Sequence, residues 1–293
     1  MGGLDIAIRI RSVPTAAPSL PQYIPRVQPR AGFQGAKWPA FAVPIDRVGT
    51  EPPLLTAKTM KAKMRISDDA KIVLLTHQHD HILESLWKYR YRLTEELRQA
   101  EFDLVLVPSF STWDTRTRLE HRYQIARSLR FLELLVESRI PTLPNVSWYL
   151  EVDILEWARE LRSWPGPRAF SIDLQTLQTD EKWDWGIASL RKLSDALEGH
   201  WAVIANGVGR TDKIRDLQLI FAHIHIINAR PFELAMANRM ATGDWLVSEV
   251  RTDPAARMDA FRTNLGRWAA VVPSCTLCGS RGSTSENLQE KSV

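Results

Sequence analysis

Three histidines and an acid crowd the run Thr76-His77-Gln78-His79-Asp80-His81. Alternate residues of a strand point the same way, so His77 and His79 could share one divalent ion at a strand end. Asp173 or His225 would supply later ligands, and the chemistry would be metal-dependent hydrolysis. The plain alternative is that these imidazoles hydrogen-bond to neighbouring loops. A second group is Asn206-Gly207-Val208-Gly209-Arg210-Thr211-Asp212. Two glycines let the backbone approach an anion, a following helix offers free N–H groups, and Arg210 adds charge. Its plain alternative is a tight turn with Thr211 or Asp212 capping the helix. Cys275-Thr276-Leu277-Cys278 is half of a zinc ribbon, and without a second pair it reads as free thiols.

The elements that would position these residues follow a repeat. Lys71–Thr76 is a continuous apolar run, as in a strand buried on both faces. A helix over 83–100 follows, then strand 104–108 and a helix near 116–138. Leu119, Tyr123, Ala126, Leu129, Leu132 and Val136 make one stripe of that helix. Strand 141–147, helix 151–163, strand 169–175, helix 183–198, strand 201–205, helix 212–221, strand 224–227 and a helix near 231–241 complete six βα units. Such alternation predicts an α/β fold with parallel strands, closed as a (β/α) barrel or wound as an open doubly wound sheet. The barrel is favoured, because one weak strand before (41–44) and one after (245–250 or 269–272) would bring the count to about eight. No Gly-x-Gly-x-x-Gly turn follows an early strand, which disfavours a dinucleotide fold.

In either closure the site lies at the strand carboxyl ends. The carboxylates there, Asp80 and Asp173, are candidates for acid/base or cation-binding work. Ser109, Ser111, Asn145, Ser147, Gln175, Asn206, Gly207, Gly209 and Arg210 would bind substrate, and Trp113 and Trp148 would stack on it. The His run is one residue short of the His-x-His-x-Asp-His signature of metallo-β-lactamases, so that ligand geometry is not matched. A serine-hydrolase elbow is missing too.

The organisation expected is a Pro/Arg-rich arm over 1–40, a single barrel-like domain over 41–273 and a polar tail over 274–293. The arm holds Pro14, Pro18, Pro21, Pro25, Pro29 and Pro39, which forbid a helix, and could pack through Trp38. At 44% apolar, the 293 residues can build a sizeable core. No window resembles a membrane span or a signal peptide, and two Cys fit a reducing cytoplasm. The net charge of +4 is compatible with an anionic partner.

Three stretches resemble the domain-of-unknown-function 4417 family of phage, plasmid and bacterial proteins. His79-Asp80-His81-Ile82-Leu83-Glu84-Ser85-Leu86-Trp87 is similar to its Asp-Asp-Tyr-x-Phe-Glu-x-x-Trp segment. Pro108-Ser109-Phe110-Ser111 resembles its Pro-Asp-Phe-Ser motif, and Ile140–Trp148 its Gly-Ile-x-Val-Ile-Pro-x-Val-Ser-Trp strand. The resemblance covers residues 70–210. It carries over Asp80, Glu84, Trp87, Pro108, Phe110, Ser111, Asn145, Ser147 and Trp148, and adds Glu84 to the catalytic candidates. His79, His81 and Ser109 depart from the pattern. The resemblance implies no reaction, but it suggests a mobile-element accessory protein.

Two functional readings result. One is an enzyme acting on a nucleotide or other small anionic substrate at the strand ends. The other is a nucleic-acid-binding module that uses the arm and Arg116, Arg118, Arg122, Arg127 and Arg130.

Overall fold

The structure is a computed structural model that describes residues 19–29, 35–49, 53–111, 115–164, 166–198, 201–242 and 247–272. Trp113, Cys275, Cys278 and most of the expected arm and tail lie outside the described residues.

Parallel strands alternate with helices. In chain order they are β1 (Tyr23–Pro25), β2 (Ala40–Pro44), α1 (Ala57–Met64), β3 (Lys71–Leu75), α2 (Asp80–Lys88), α3 (Arg90–Ala100), β4 (Leu104–Leu106), α4 (Arg118–Glu137), β5 (Thr142–Leu143), β6 (Asn145–Val146), α5 (Glu151–Arg162), β7 (Ala169–Asp173), α6 (Asp180–Leu197), β8 (Ala202–Asn206), α7 (Thr211–Gln218), β9 (His223–Asn228), α8 (Arg230–Met236), β10 (Arg239–Ala241), β11 (Val247–Glu249) and α9 (Pro254–Val271). Side chains of Thr56, Thr117, Thr179 and Asp253 accept the first free N–H groups of α1, α4, α6 and α9.

Pairing divides the strands between two parallel sheets, β2-β3-β4-β5 and β1-β9-β8-β7-β6. Two seams join them. Pro144 separates β5 from β6 within one extended segment, and its carbonyl accepts from Ser171 N. At the other seam Arg26 bridges Ala42, and Val27 N donates to Ala42 O at 2.9 Å.

The strand order is sequential around the two sheets, and they curl into a barrel-like arrangement. The side chain of Asn206, after β8, lies 3.3 Å from that of His77, after β3. In a flat sheet the four strand spacings from β3 to β8 would separate them by roughly 19 Å. Strand parity agrees with this curl. Phe41, Ile72, Leu74, Val105, Phe170 and Val203 join the helices in a large core, whereas Ala42, Val73, Leu75, Leu104, Leu106, Leu143, Ala169, Ile204 and Ile227 form a separate core that contains no helical residue. Small and branched side chains fill this interior, as barrel packing requires.

Several boundaries differ from expectation. The eighth strand comes from the front of the chain. Tyr23–Pro25, expected within the arm, pair with β9, and Trp38 Nε1 donates to Tyr23 O at 2.9 Å. The fold therefore starts before residue 41. Residues 269–272 instead end helix α9, while Val247–Glu249 form an antiparallel hairpin with Arg239–Ala241, where the helix near 231–241 was expected to finish. The helix expected over 83–100 starts at Asp80 and breaks at Tyr89. On α4 the expected stripe holds in its later turns, where Leu129 and Leu132 are buried, and fails at its start, where Leu119 and Tyr123 are exposed while His121, Arg122, Ile125 and Ser128 are buried. Ion pairs explain the shift. Arg122 meets Asp153 and Glu156 of α5, so a charged residue takes an inward position.

Candidate functional site

Strand parity also builds the site. Moving up each strand, the inward series passes from apolar to polar residues at the carboxyl end. Ile24 leads to Arg26, Leu75 to His77, Leu143 to Asn145, Ala169 to Ser171 and Asp173, and Ile204 to Asn206. These side chains bond to one another across the ring. Asp173 Oδ1 accepts from Gln175 N at 3.2 Å, Gln175 Nε2 at 3.1 Å and Asn206 Nδ2 at 3.2 Å. Arg26 donates to Gln175 Oε1 at 3.1 Å, and Ser171 Oγ donates to Asn145 Oδ1 at 3.2 Å.

The partners fix orientations. An ionised carboxylate only accepts, so Asn206 must present its amide nitrogen to Asp173. The same nitrogen then donates to His77 Nδ1, and His77 Nε2–H donates to Val107 O at 3.1 Å. Asn206 Oδ1 and Asn145 Nδ2 are buried without a hydrogen-bond partner. Buried polar atoms are seldom left so, and a ligand or water commonly completes them.

Beside this network opens a cleft of about 530 Å³ at the ends of β7, β8, β9 and β1. Gln175, Asn206, Gly207 and Gly209 line it with the cations Arg26, Arg210, Lys213 and Arg230 and one acid, Glu233. The glycine loop is tied back from three sides. Gly207 N donates to Ile227 O at 3.0 Å, Asn228 Nδ2 donates to Val208 O at 2.7 Å, and Trp268 Nε1 of α9 donates to Gly209 O at 2.9 Å. Gly207 has φ +89°, and a Cβ there would lie 2.4 Å from Gln175 Cγ and 2.9 Å from Gln175 N. Glycine is required on both counts. The N-cap residue Arg210 makes no side-chain cap bond to α7, whose N-terminus faces this loop. The expected cap from Asp212 is partly present, because its carboxylate takes hydrogen bonds from the backbone of Lys213 and of Asp212 itself while pairing with Arg210, whose Nη2 donates at 2.5 Å.

Charge in the cleft is unevenly held. Burial lowers the Arg26 pKa, while Asp46, Glu233 and Asp173 oppose that shift. Burial also lowers that of Lys213, whose Nζ donates to Leu177 O at 3.0 Å and Gln178 O at 3.2 Å. Arg210 moves the other way, raised first by its hydrogen bond to Asp212.

The remaining candidates gather elsewhere. Asp80 accepts from Ser111 Oγ at 2.6 Å. Glu84 accepts both terminal nitrogens of Arg127, at 2.7 and 2.9 Å. Arg127 in turn lies over Phe110, 3.9 Å from the ring centroid, and Phe110 meets Trp87 edge-on. Glu84 is thus a clamp between α2 and α4. Ser147 contributes its carbonyl to Trp157 Nε1 at 2.8 Å, and Trp148 stacks on Trp185 with centroids 5.9 Å apart. Ser109 is half-buried after β4 and does not line the cleft.

The shared metal ion expected at His77 and His79 does not fit. His77 is buried with both ring nitrogens in hydrogen bonds, whereas His79 is exposed and stacks with His81. His225, the later ligand considered, bonds to Pro21 O through Nδ1. Among the described residues no group of three or more His, Cys, Asp or Glu could hold a metal. The basic face expected on α4 is also spent. Arg116, Arg118, Arg122, Arg127 and Arg130 all pair with acids.

Sequence reasoning missed Arg26, Lys213 and Trp268 as site residues. Arg26 had a usable signal, since it lies two residues beyond the inward Ile24. Lys213 and Trp268 had none, because helical residues reach the cleft only through tertiary packing. Among the described residues no helix is long and apolar enough to cross a membrane. Compared with known proteins, the chain matches no family model and no curated protein.

Proposed function

We propose that the protein binds a small phosphate-bearing ligand, a nucleotide or another phosphorylated metabolite, in the cleft between β7, β8, β9 and β1. The observation that carries this reading is the tied-back glycine loop at the N-terminus of α7, in the same cleft as Arg26 and Arg230. The Val208 and Gly209 carbonyls are occupied by protein donors, which turns them away from an anion arriving near the helix dipole. Phosphate sites in parallel barrels favour the loops after the last two strands, the position held here by 206–210 and 228–230. Lys213 is committed to two carbonyls and supports the loop 174–178. Asp173 orients Asn206 and Gln175, a positioning role in place of the acid/base role its location first suggested.

Calorimetric titration with inorganic phosphate and with adenosine monophosphate tests the reading. The wild-type chain should bind both, and the Arg26→Met and Arg230→Met variants should each weaken binding by roughly tenfold, the scale of one charge-assisted hydrogen bond. Equal affinity in all three proteins, or no binding by folded wild type, would remove it.

A further inference from the structure

A second surface, on the outer helices beside β3 and β4, alternates aromatic rings with guanidinium groups. Arg127 lies 5.9 Å from the Tyr123 ring centroid and 4.9 Å from that of Trp87. Arg90 lies 4.3 Å from the Trp87 centroid and 4.6 Å from that of Tyr91. Arg90 and then Arg130 lower the pKa of the Tyr91 hydroxyl. The result is a continuous ribbon across α4, α2 and α3. Helix packing accounts for its middle, where buried Arg127 lies over both Trp87 and Phe110. Packing does not account for the ends, since Tyr91 and Tyr123 are 59% and 49% exposed. Charge is equally uneven. Residues 87–92, Trp-Lys-Tyr-Arg-Tyr-Arg, hold three cations and no acid. Lys88 and Arg92 are exposed, and among the described residues Arg92 makes no ion pair. The acids nearby are taken, Glu95 by Arg98 and Glu133 by Arg130. None of these residues lines the cleft.

We infer that this face binds a single-stranded nucleic acid, with an unpaired base stacked on Tyr91 and the phosphates beside it held by Lys88 and Arg92. A duplex hides its base faces, whereas a single strand offers them to exposed rings. Phosphodiesters complement a cationic run that no acid within it offsets. Arg90 packs over Tyr91 and holds the ring in place, so little side-chain freedom is lost when a base stacks there. The inference stands apart from the anion cleft, which is built from other strands and other residues.

Fluorescence anisotropy with labelled thymidine and uridine oligomers of about twelve nucleotides tests it, with the thymidine–adenosine duplex and polyglutamate of similar charge as controls. The wild-type chain should bind a single strand at low salt, DNA or RNA, and the duplex on the order of tenfold more weakly. Affinity should fall with salt on a log–log slope of about −1.4, two phosphate contacts at roughly 0.7 each. Tyr91→Ala should weaken binding on the order of tenfold, and Tyr91→Phe, which keeps the ring, should bind as wild type does. Arg92→Met should flatten the slope to about −0.7. No binding by wild type, or equal affinity in wild type, Tyr91→Ala and Arg92→Met, would overturn the inference. Equal affinity for the duplex would overturn the stacked base, and polyglutamate competing as well as the oligomers would overturn the assignment to a nucleic acid. Both substituted side chains are exposed, so the variants should keep the wild-type fold, which circular dichroism checks.

Discussion

The side of the barrel around β3 and β4 and the side around β7 to β9 handle polar residues in opposite ways. Around β3 and β4 the charged side chains pair with one another, although Arg127 Nε is left without a partner. Ser111 bonds Asp80, Arg127 takes both oxygens of Glu84, and the Arg127 guanidinium lies on Phe110. On the far side Arg26 and Arg230 line an open cleft, and Asn206 Oδ1 is left unpaired. Charges paired within a packed cluster stabilise the fold, whereas cations that line an open cleft are available to something else. The first side carries the recognisable motifs and the second carries the cavity, so motif density is a poor guide to the site.

This contrast breaks most visibly where a satisfied buried charge is unpaired. Asp153, 0% exposed, accepts from Arg118, Arg122, and the backbone of Tyr149 and Leu150. Asp153→Ala should cost about 3–5 kcal/mol in chemical denaturation, since it leaves buried Arg122 with Glu156 alone and removes the acceptor for Arg118 and two backbone N–H groups. Next, Gly207→Ala forces a side chain into φ +89° and onto Gln175. It should cost about 1–3 kcal/mol and abolish phosphate binding in calorimetry. Glu84→Gln should cost about 1–2 kcal/mol while leaving phosphate affinity unchanged. A large loss of affinity there would erase the distinction between the two sides.

A pH series sharpens the same point. Burial opposes ionisation of Asp153, but hydrogen bonds from Arg118, Leu150 and Tyr149 prevail and lower its pKa. A folded pKa below the unfolded one adds stability that is complete above the ordinary value of about 3.9 and lost as pH falls through the folded pKa. The stability gap between wild type and Asp153→Asn should therefore narrow on acidification below about pH 4. The smallest effect expected is from Trp185→Ala. Its half-exposed ring stacks on Trp148 outside the cleft, so the loss should stay within about 1.5 kcal/mol with no change in ligand binding.

The βα repeat from residue 71 onward was legible because apolar runs such as Ile72–Leu75 and Val203–Ala205 announce buried strands without tertiary information. β1 was hidden, since three residues ending in Pro25 inside a proline-rich stretch carry no period. The inward face of α4 was misjudged only at its start, because Arg122 and Arg127 are buried by acids on other helices, which periodicity cannot see. At the site, Asn206, Gly207, Gly209, Arg210, Gln175 and Asp173 were legible as strand-end residues. Their separation from Asp80, Glu84, Ser111 and Trp148 was not, because it depends on which strands face each other across the ring.

Ile24 pairs with Ile227 across two hundred residues of chain, and Arg26 follows directly behind it. On the ribosome that pairing waits until β9 has emerged, so the cleft is assembled last, after most helices can already have packed. Binding at the proposed site would thereby report a finished molecule, and a chain halted before β9 would keep much of its secondary structure without that site.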